Sequence, residues 1–156
     1  MAELDYVFRK LDREDLKKAA IVYERAFADD FGEVALKDLL SIKGSFGIAV
    51  DQALTGELVA FMIGSCLFEQ GEILTIAVDP THQGKSLGFR LMSDALKYGQ
   101  VKKVESFLLE VASDNVSAIA LYTKLGFQQI STRKGYYRRG SEKIDAYIMR
   151  HSYEFK

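Results

Sequence analysis

The turn Gln83-Gly84-Lys85-Ser86-Leu87-Gly88 lies between an apolar run and a helical repeat, and its composition suits the binding of an anion. The first four N–H groups of a helix have no intrahelical partner, and the helix dipole adds partial positive charge at the same end. With small residues to let a phosphate approach, such a turn reads as a phosphate site. Spacing excludes two familiar nucleotide loops. Gly84-Lys85-Ser86 ends like a P-loop, but the position that needs the motif's first glycine holds Asp79. A dinucleotide fingerprint fails too, because no glycine stands between Gly84 and Gly88.

Other residues could move protons. Glu110 stands inside the apolar run 107–111, where a charge needs solvent, a partner or a chemical task. Tyr122 lies on the Ala118, Leu121 and Leu125 side of a helical repeat. A phenol there either packs in the core with its hydroxyl bonded or serves as an acid. Arg133, Lys134, Arg138 and Arg139 suit either a solvated hairpin or an acidic ligand. His82 and His151 are the only histidines and Cys66 is the only cysteine, so no metal site and no internal disulfide are expected. Cys66 reads as a buried strand residue.

Several elements must position these groups. Ile73, Leu74, Ile76, Ala77 and Val78 form a near-continuous apolar run, as expected for a strand buried on both faces, and Pro80 ends it. Leu87, Leu91, Ala95 and Leu96 then recur at helical spacing to a stop near Gly99. Residues 104–111 form the next strand. A strand–helix–strand passage normally returns parallel and right-handed, so this strand belongs beside residues 73–78. If the two part toward their C-terminal ends, their free N–H and C=O groups can bind an extended, amide-containing arm.

Upstream, residues 6–11 read as a strand, and Asp12 caps a helix with Leu16, Ala19, Ala20, Tyr23, Ala26 and Phe27 on one core face. Asp29-Asp30-Phe31-Gly32 breaks it, and residues 34–40 form a second short helix. Residues 46–50 and 58–67 read as antiparallel strands that lead into the central one as a meander. Downstream, Ala112-Ser113-Asp114-Asn115 starts a helix that Gly126 stops. Residues 127–132 and 144–149 close the chain as strands, with Gly135-Tyr136-Tyr137 and Gly140 in the loop between them. The fold class is α/β, with a mixed, mostly antiparallel sheet, a splayed parallel pair and flanking helices.

At 156 residues and 48% apolar, the chain reads as one domain over 1–156 that buries about two thirds of its unfolded surface. A net charge of −1 and a pI near 6.1 argue against nucleic acid as the main partner. No leader-like start or long apolar span is present, so a cytoplasmic protein without a membrane partner is expected. No oligomerisation signature sets a subunit count.

Residues 76–88 resemble the pyrophosphate loop of the GNAT acetyltransferases, Gln/Arg-x-x-Gly-x-Gly/Ala after a strand ending in a Val-x-Pro-like sequence. Ile76-Ala77-Val78-Asp79-Pro80, Gln83 and Gly88 match, and Ser86 replaces a glycine. The stretch from Leu109 to Phe127 is similar to that family's Leu-Glu-Val-x-x-x-Asn-x-x-Ala-x-x-Leu-Tyr-x-x-x-Gly-Phe. With Arg133-Lys134-Gly135-Tyr136-Tyr137 and Asp145-Ala146-Tyr147-Ile148-Met149, it looks like the RimI group, which acetylates the N-terminal alanine of a ribosomal protein. The likeness covers roughly 73–150. Where that group often carries Pro-Trp-Ser, this chain has Asp30-Phe31-Gly32 and no tryptophan.

The resemblance implies the GNAT fold and an acetyl-CoA-dependent transfer to a protein N-terminal amine, with no metal. It implies that Ile76, Ala77 and Val78 pair with the pantetheine arm, and that the N–H groups of Gly84, Lys85, Ser86, Leu87, Gly88 and Phe89 hold the pyrophosphate. Asn115 would bond the arm from the other side, Glu110 would act as base, and Tyr122 as acid. Tyr136 and Tyr137 either pack the hairpin or wall the acceptor groove. Glu33, Glu69 and Glu72 are either solvated or include one partner for the incoming ammonium. An α-amine with a pKa near 8 is roughly one tenth neutral at pH 7, at a cost of about 1.4 kcal/mol, against about 4.6 kcal/mol for lysine. Two alternatives stay open: an enzyme for a small-molecule amine or another terminus, and a noncatalytic acetyl-CoA-binding module.

Overall fold

The computed structural model describes residues 5–28 and 31–154. Chain order runs β1 (Tyr6–Lys10), α1 (Leu16–Phe27), α2 (Gly32–Leu40), β2 (Ser45–Gln52), β3 (Leu58–Leu67) and β4 (Gln70–Val78). It continues through α3 (Leu87–Val101), β5 (Ser106–Ala112), α4 (Val116–Lys124), β6 (Gln128–Arg139) and β7 (Glu142–Ser152). The strands form one seven-stranded sheet in the order β1-β2-β3-β4-β5-β7-β6. Each neighbouring pair is antiparallel except β4–β5. The expected class and parallel pair are therefore present.

Each face of the sheet carries its own core. Met62, Leu91, Phe107, Phe127 and Met149 pack together on the side of α3 and α4. Leu16, Ala19, Val22, Leu36, Phe61 and Ile63 form the other core beneath α1 and α2. The three-residue spacing of Leu16, Ala19 and Val22, i, i+3 and i+6, places them on the buried face of α1. At its start, Asp12 leads into a 3-10 turn at Arg13–Asp15 and the α-helix begins at Leu16, so the expected cap acts one turn early. Asp29 and Asp30, read as part of the helix break, lie outside the described residues.

Two sequence expectations need correction. The central strand is not buried on both faces: Leu74, Thr75, Ile76 and Val78 are only half-buried, because β5 moves away from this stretch. The last two strands are also longer than the apolar pattern suggests. β6 runs to Arg139 and β7 starts at Glu142, so Tyr136 and Tyr137 lie in a strand rather than a loop. Polar residues hid this hairpin, which leaves β6 largely exposed. A register shift between Arg133 and Tyr137 bends it, with the Gly135 N–H donating to Asp145 Oδ1 at 2.8 Å and Gly135 at φ 59°.

Candidate functional site

The parallel pair is short. Residues Gln70, Gly71 and Glu72 pair with Ser106, Phe107 and Leu108, and the ladder stops there. Opposite, β3 pairs Gly64 with Ile73 and Ile63 with Thr75, so Leu74 is an extra, bulged residue. Beyond it β4 stays with β3, while β5 stays with β7 through Ala112. A cleft of about 570 Å³ opens between the parted strands.

Glu110 and Tyr122 both line this cleft, together with Ile76 and Asn115. Glu110 is held by Arg133, whose Nη1 lies 3.2 Å from its Oε1. Arg133 is half-exposed, so this pair contributes well under 1 kcal/mol to stability and serves chiefly to orient the carboxylate. Tyr122 is 7% exposed, and burial, with a smaller contribution from Tyr137, pushes its phenol up to about 12. It therefore keeps its proton at neutral pH. Asn115 caps α4: its Oδ1 accepts from the Ala118 N–H and the Ser117 hydroxyl, each at 3.3 Å. The cap uses the amide oxygen, and the amide nitrogen takes no part in it.

The remaining residues singled out by sequence divide. Ala77 turns into the core under α1 and α2, and Val78 is half-buried; neither lines the cleft with its side chain. The loop from Gln83 to Phe89 lies outside the cleft lining. Gln83 Nε2 donates to the Val78 carbonyl at 3.1 Å. Gly84 and Ser86 both adopt left-handed backbone, at φ 76° and 63°. Ser86 thus occupies a conformation that favours glycine, and its side chain makes no cap bond. Lys85 is exposed, Leu87 is buried in the core, and Gly88 meets Leu121, whose Cδ2 would lie 3.3 Å from an added Cβ. Phe89 sits under the ammonium of Lys124.

Tyr137 lines the cleft, whereas Tyr136 does not; it is 51% exposed and stacks beneath Arg133. Burial first, and then the charge of Glu110, raise the Tyr137 phenol. Cys66, expected to be buried, is only partly so; it pairs with Gly71 at the joined end of the sheet and lines neither cavity, while burial pushes its thiol up to about 11.

Sequence reasoning missed three contributors. Tyr23 and Phe27, assigned to the core face of α1, line the cleft at the end of that helix. Asp79, 3% exposed, ties the phosphate-type loop to α1 through Arg25 Nη1 at 2.8 Å and accepts from the N–H and hydroxyl of Thr81. Burial alone would raise its carboxyl, but Thr81, Arg25 and His82 outweigh that and hold it below the usual value. An Asp two residues before Thr81 and next to Pro80 was the available signal, an Asx turn. Among the described residues, no group of histidine, cysteine or carboxylate side chains is placed to hold a metal, and no helix is long and apolar enough to cross a membrane.

Comparison with known proteins agrees with this geometry. A [ribosomal protein bS18]-alanine N-acetyltransferase of Escherichia coli K12 is 32% identical over 139 residues, covering 89% of this chain and 92% of that protein. The crystal structure of the ribosomal-protein-S18-alanine N-acetyltransferase from Escherichia coli superposes with a TM-score of 0.89 at 28% identity, covering 97% of this chain and 96% of that one. An acetyltransferase of Salmonella typhimurium, solved with its cofactor acetyl-CoA, shares the fold at a TM-score of 0.78 and 18% identity, over 95% and 94% of the two chains. Residues 10–127 match the model of the Acetyltransferase (GNAT) family. With its parted β4–β5 pair and glycine-containing loop at the start of α3, the chain belongs to the GNAT family of acetyltransferases and is an acyltransferase.

Proposed function

We propose that this chain is an acetyl-CoA-dependent Nα-acetyltransferase whose acceptor is a protein N-terminal amine, the terminal alanine of a small-subunit ribosomal protein. The observation that carries the reading is the placement of Glu110 and Tyr122 on the walls of one cleft between parted strands. Similarity to the Escherichia coli enzyme over most of both chains supports the choice of acceptor.

The residues present fit the coenzyme. Past Glu72 the facing edges of β4 and β5 are not paired to each other, leaving backbone groups for an amide-containing arm. The left-handed residues Gly84 and Ser86 lead into the first turn of α3, whose N–H groups suit a pyrophosphate. Ile76 to Val78 and the Asn115 amide nitrogen would hold the pantetheine arm. Acetyl-CoA supplies an activated thioester. Glu110 takes the proton from the attacking amine, and Tyr122 gives one to the departing thiolate. A phenol at about 12 is a weak donor to a free thiolate near 8.5, but desolvation in the same cleft raises the thiol as well and narrows that gap. Backbone N–H groups at the Leu74 bulge and the parted strand polarise the carbonyl. Transfer is direct, since the Cys66 thiol is raised and lies away from both cavities.

Acetyl transfer to short peptides beginning with Ala, Ser, Met or Gly, beside peptides blocked at the α-amine but carrying a free lysine, tests the reading. Turnover of free termini with preference for Ala is the expected result. Transfer confined to the blocked lysine peptides overturns the acceptor, and silence in both sets, with turnover of free small amines, overturns the protein substrate.

A further inference from the structure

A second cavity of about 370 Å³ adjoins the cleft, and the chemistry above uses only the wall that the two share, at Glu110 and the Leu74 bulge. Its lining is apolar at Leu74, Leu108 and Ile148, with Tyr137 and Arg133 beside them, and two carboxylates face it: Glu110 and Glu72. Arg133 is the single cation present, and it is engaged, bonded to Glu110 and lying over the Tyr136 ring at 5.2 Å. Glu72 is exposed and has no ion-pair or hydrogen-bond partner for its side chain among the described residues. Arg139, in the main cleft, pairs with Asp114. Once these internal pairs are set aside, the main cleft retains the positive Arg138 and the smaller cavity retains the negative Glu72. The first sign suits a phosphorylated donor, and the second suits a cationic acceptor.

Strand register sets the scale. Glu72 stands beside Leu108, and Glu110 is two residues further along β5 on the same face. With strands about 4.8 Å apart and a rise of about 3.3 Å per residue, the two Cα positions are about 8 Å apart. An extended acceptor advances about 3.4 Å per residue, so its second or third side chain passes Glu72 when its terminal amine is at Glu110.

We propose that Glu72 is a specificity-determining residue that pairs with a lysine or arginine at the second or third position of the acceptor. This rests on the reading of the acceptor as a protein N-terminus. The apolar floor takes the methylene stem and Glu72 the charged head. An acidic side chain there meets Glu72 and Glu110 with Arg133 already committed, so it is disfavoured.

The test compares initial rates on otherwise identical peptides beginning Ala-Arg, Ala-Ala, Ala-Glu and Ala-Ala-Arg. A matching set, blocked at the α-amine, has a lysine flanked by Arg, Ala or Glu. In the wild type, kcat/KM for an Arg-bearing peptide should exceed that for Ala-Ala by about fivefold, a ratio carried by KM and reduced at high salt. Glu72→Gln should bring the Arg-to-Ala ratio near one, and Glu72→Lys should reverse the order of Arg and Glu. A wild-type ratio near one, or a preference that persists in Glu72→Gln, overturns the assignment while leaving the N-terminal reading intact. If only the blocked peptides are acetylated, the N-terminal reading falls, and the same ratio around the lysine still decides Glu72. Silence across both sets overturns both.

Discussion

β4 and β5 are one strand pair with two characters. At residues 70–72 and 106–108 they are paired parallel neighbours, and Gly71 lies so close to Phe107 that an added Cβ would be 2.8 Å from its ring atoms. From Ile73 and Leu109 onward they part, Leu74 bulges from the β3 ladder, and Glu110, Asn115 and Tyr122 line the space. What differs is where the backbone groups find partners: β4 and β5 bond to each other at one end, and at the other their facing edges are not paired to each other. The cleft is thus made by withholding pairing from ordinary strands.

Substitutions can sharpen or break that contrast. The largest effect belongs to the parted end: Glu110→Gln should lower kcat/KM by about 10²–10³-fold at neutral pH. The deficit should narrow as pH rises and solvent deprotonates the amine, and a ratio flat across pH would remove the base role. Tyr122→Phe should lower kcat by about tenfold or more while acetyl-CoA KM stays within about twofold; unchanged kcat would remove Tyr122 as the acid. At the joined end, Gly71→Ala should act on stability, costing about 1–3 kcal/mol in denaturant unfolding, because the Phe107 ring is fully buried and has little room to give. Unaltered stability would mean that the joined end is as adaptable as the parted one.

Two smaller effects follow. Ser86→Gly relieves left-handed strain of about 1–2 kcal/mol but adds unfolded-chain entropy, for a net gain under about 1 kcal/mol and a few degrees in Tm. A rise in acetyl-CoA KM in this variant would identify the serine hydroxyl as a ligand of the coenzyme. The last effect is alkaline. Tyr122 is raised from 10.0 to about 12 in the folded protein, so both states keep its proton below pH 10, and its contribution to stability is lost as pH rises from 10 through about 12. Cys66, raised from 9.0 to about 11, acts in the same sense over the lower window. Unfolding measured across pH 9–12 should therefore show a decline that is shallower in Tyr122→Phe, and an equal slope would show that its burial is relieved in solution.

Much of the fold was legible because its signals are local. The apolar run before Pro80, the helical repeat from Leu87 and the Asn115 cap each lie within one element. A passage from strand through helix to strand then requires the parallel pair. The hairpin was less legible: β6 is polar and exposed, so alternation gave no mark of its length, and Tyr137 could not be separated from Tyr136 until the register placed one in the cleft and the other outside. Tyr23 and Phe27 show the same limit. Their helical spacing establishes a common face of α1, but not that this face passes from core to cleft near the helix end.

By itself, the sequence determined the order of elements, the glycine-containing turn before α3 and the chemical types of the two residues proposed to handle protons. Hydrophobic period, capping and turn chemistry all act within a few residues, and a motif is read along the chain. The tertiary structure alone decided where β4 and β5 separate, that Arg133 orients Glu110 and that Asp79 anchors the loop to α1. It also decided that Glu72 faces a cavity beside the cleft. Each of these depends on backbone register or on side chains far apart in sequence, and only the packed sheet brings such groups within bonding distance.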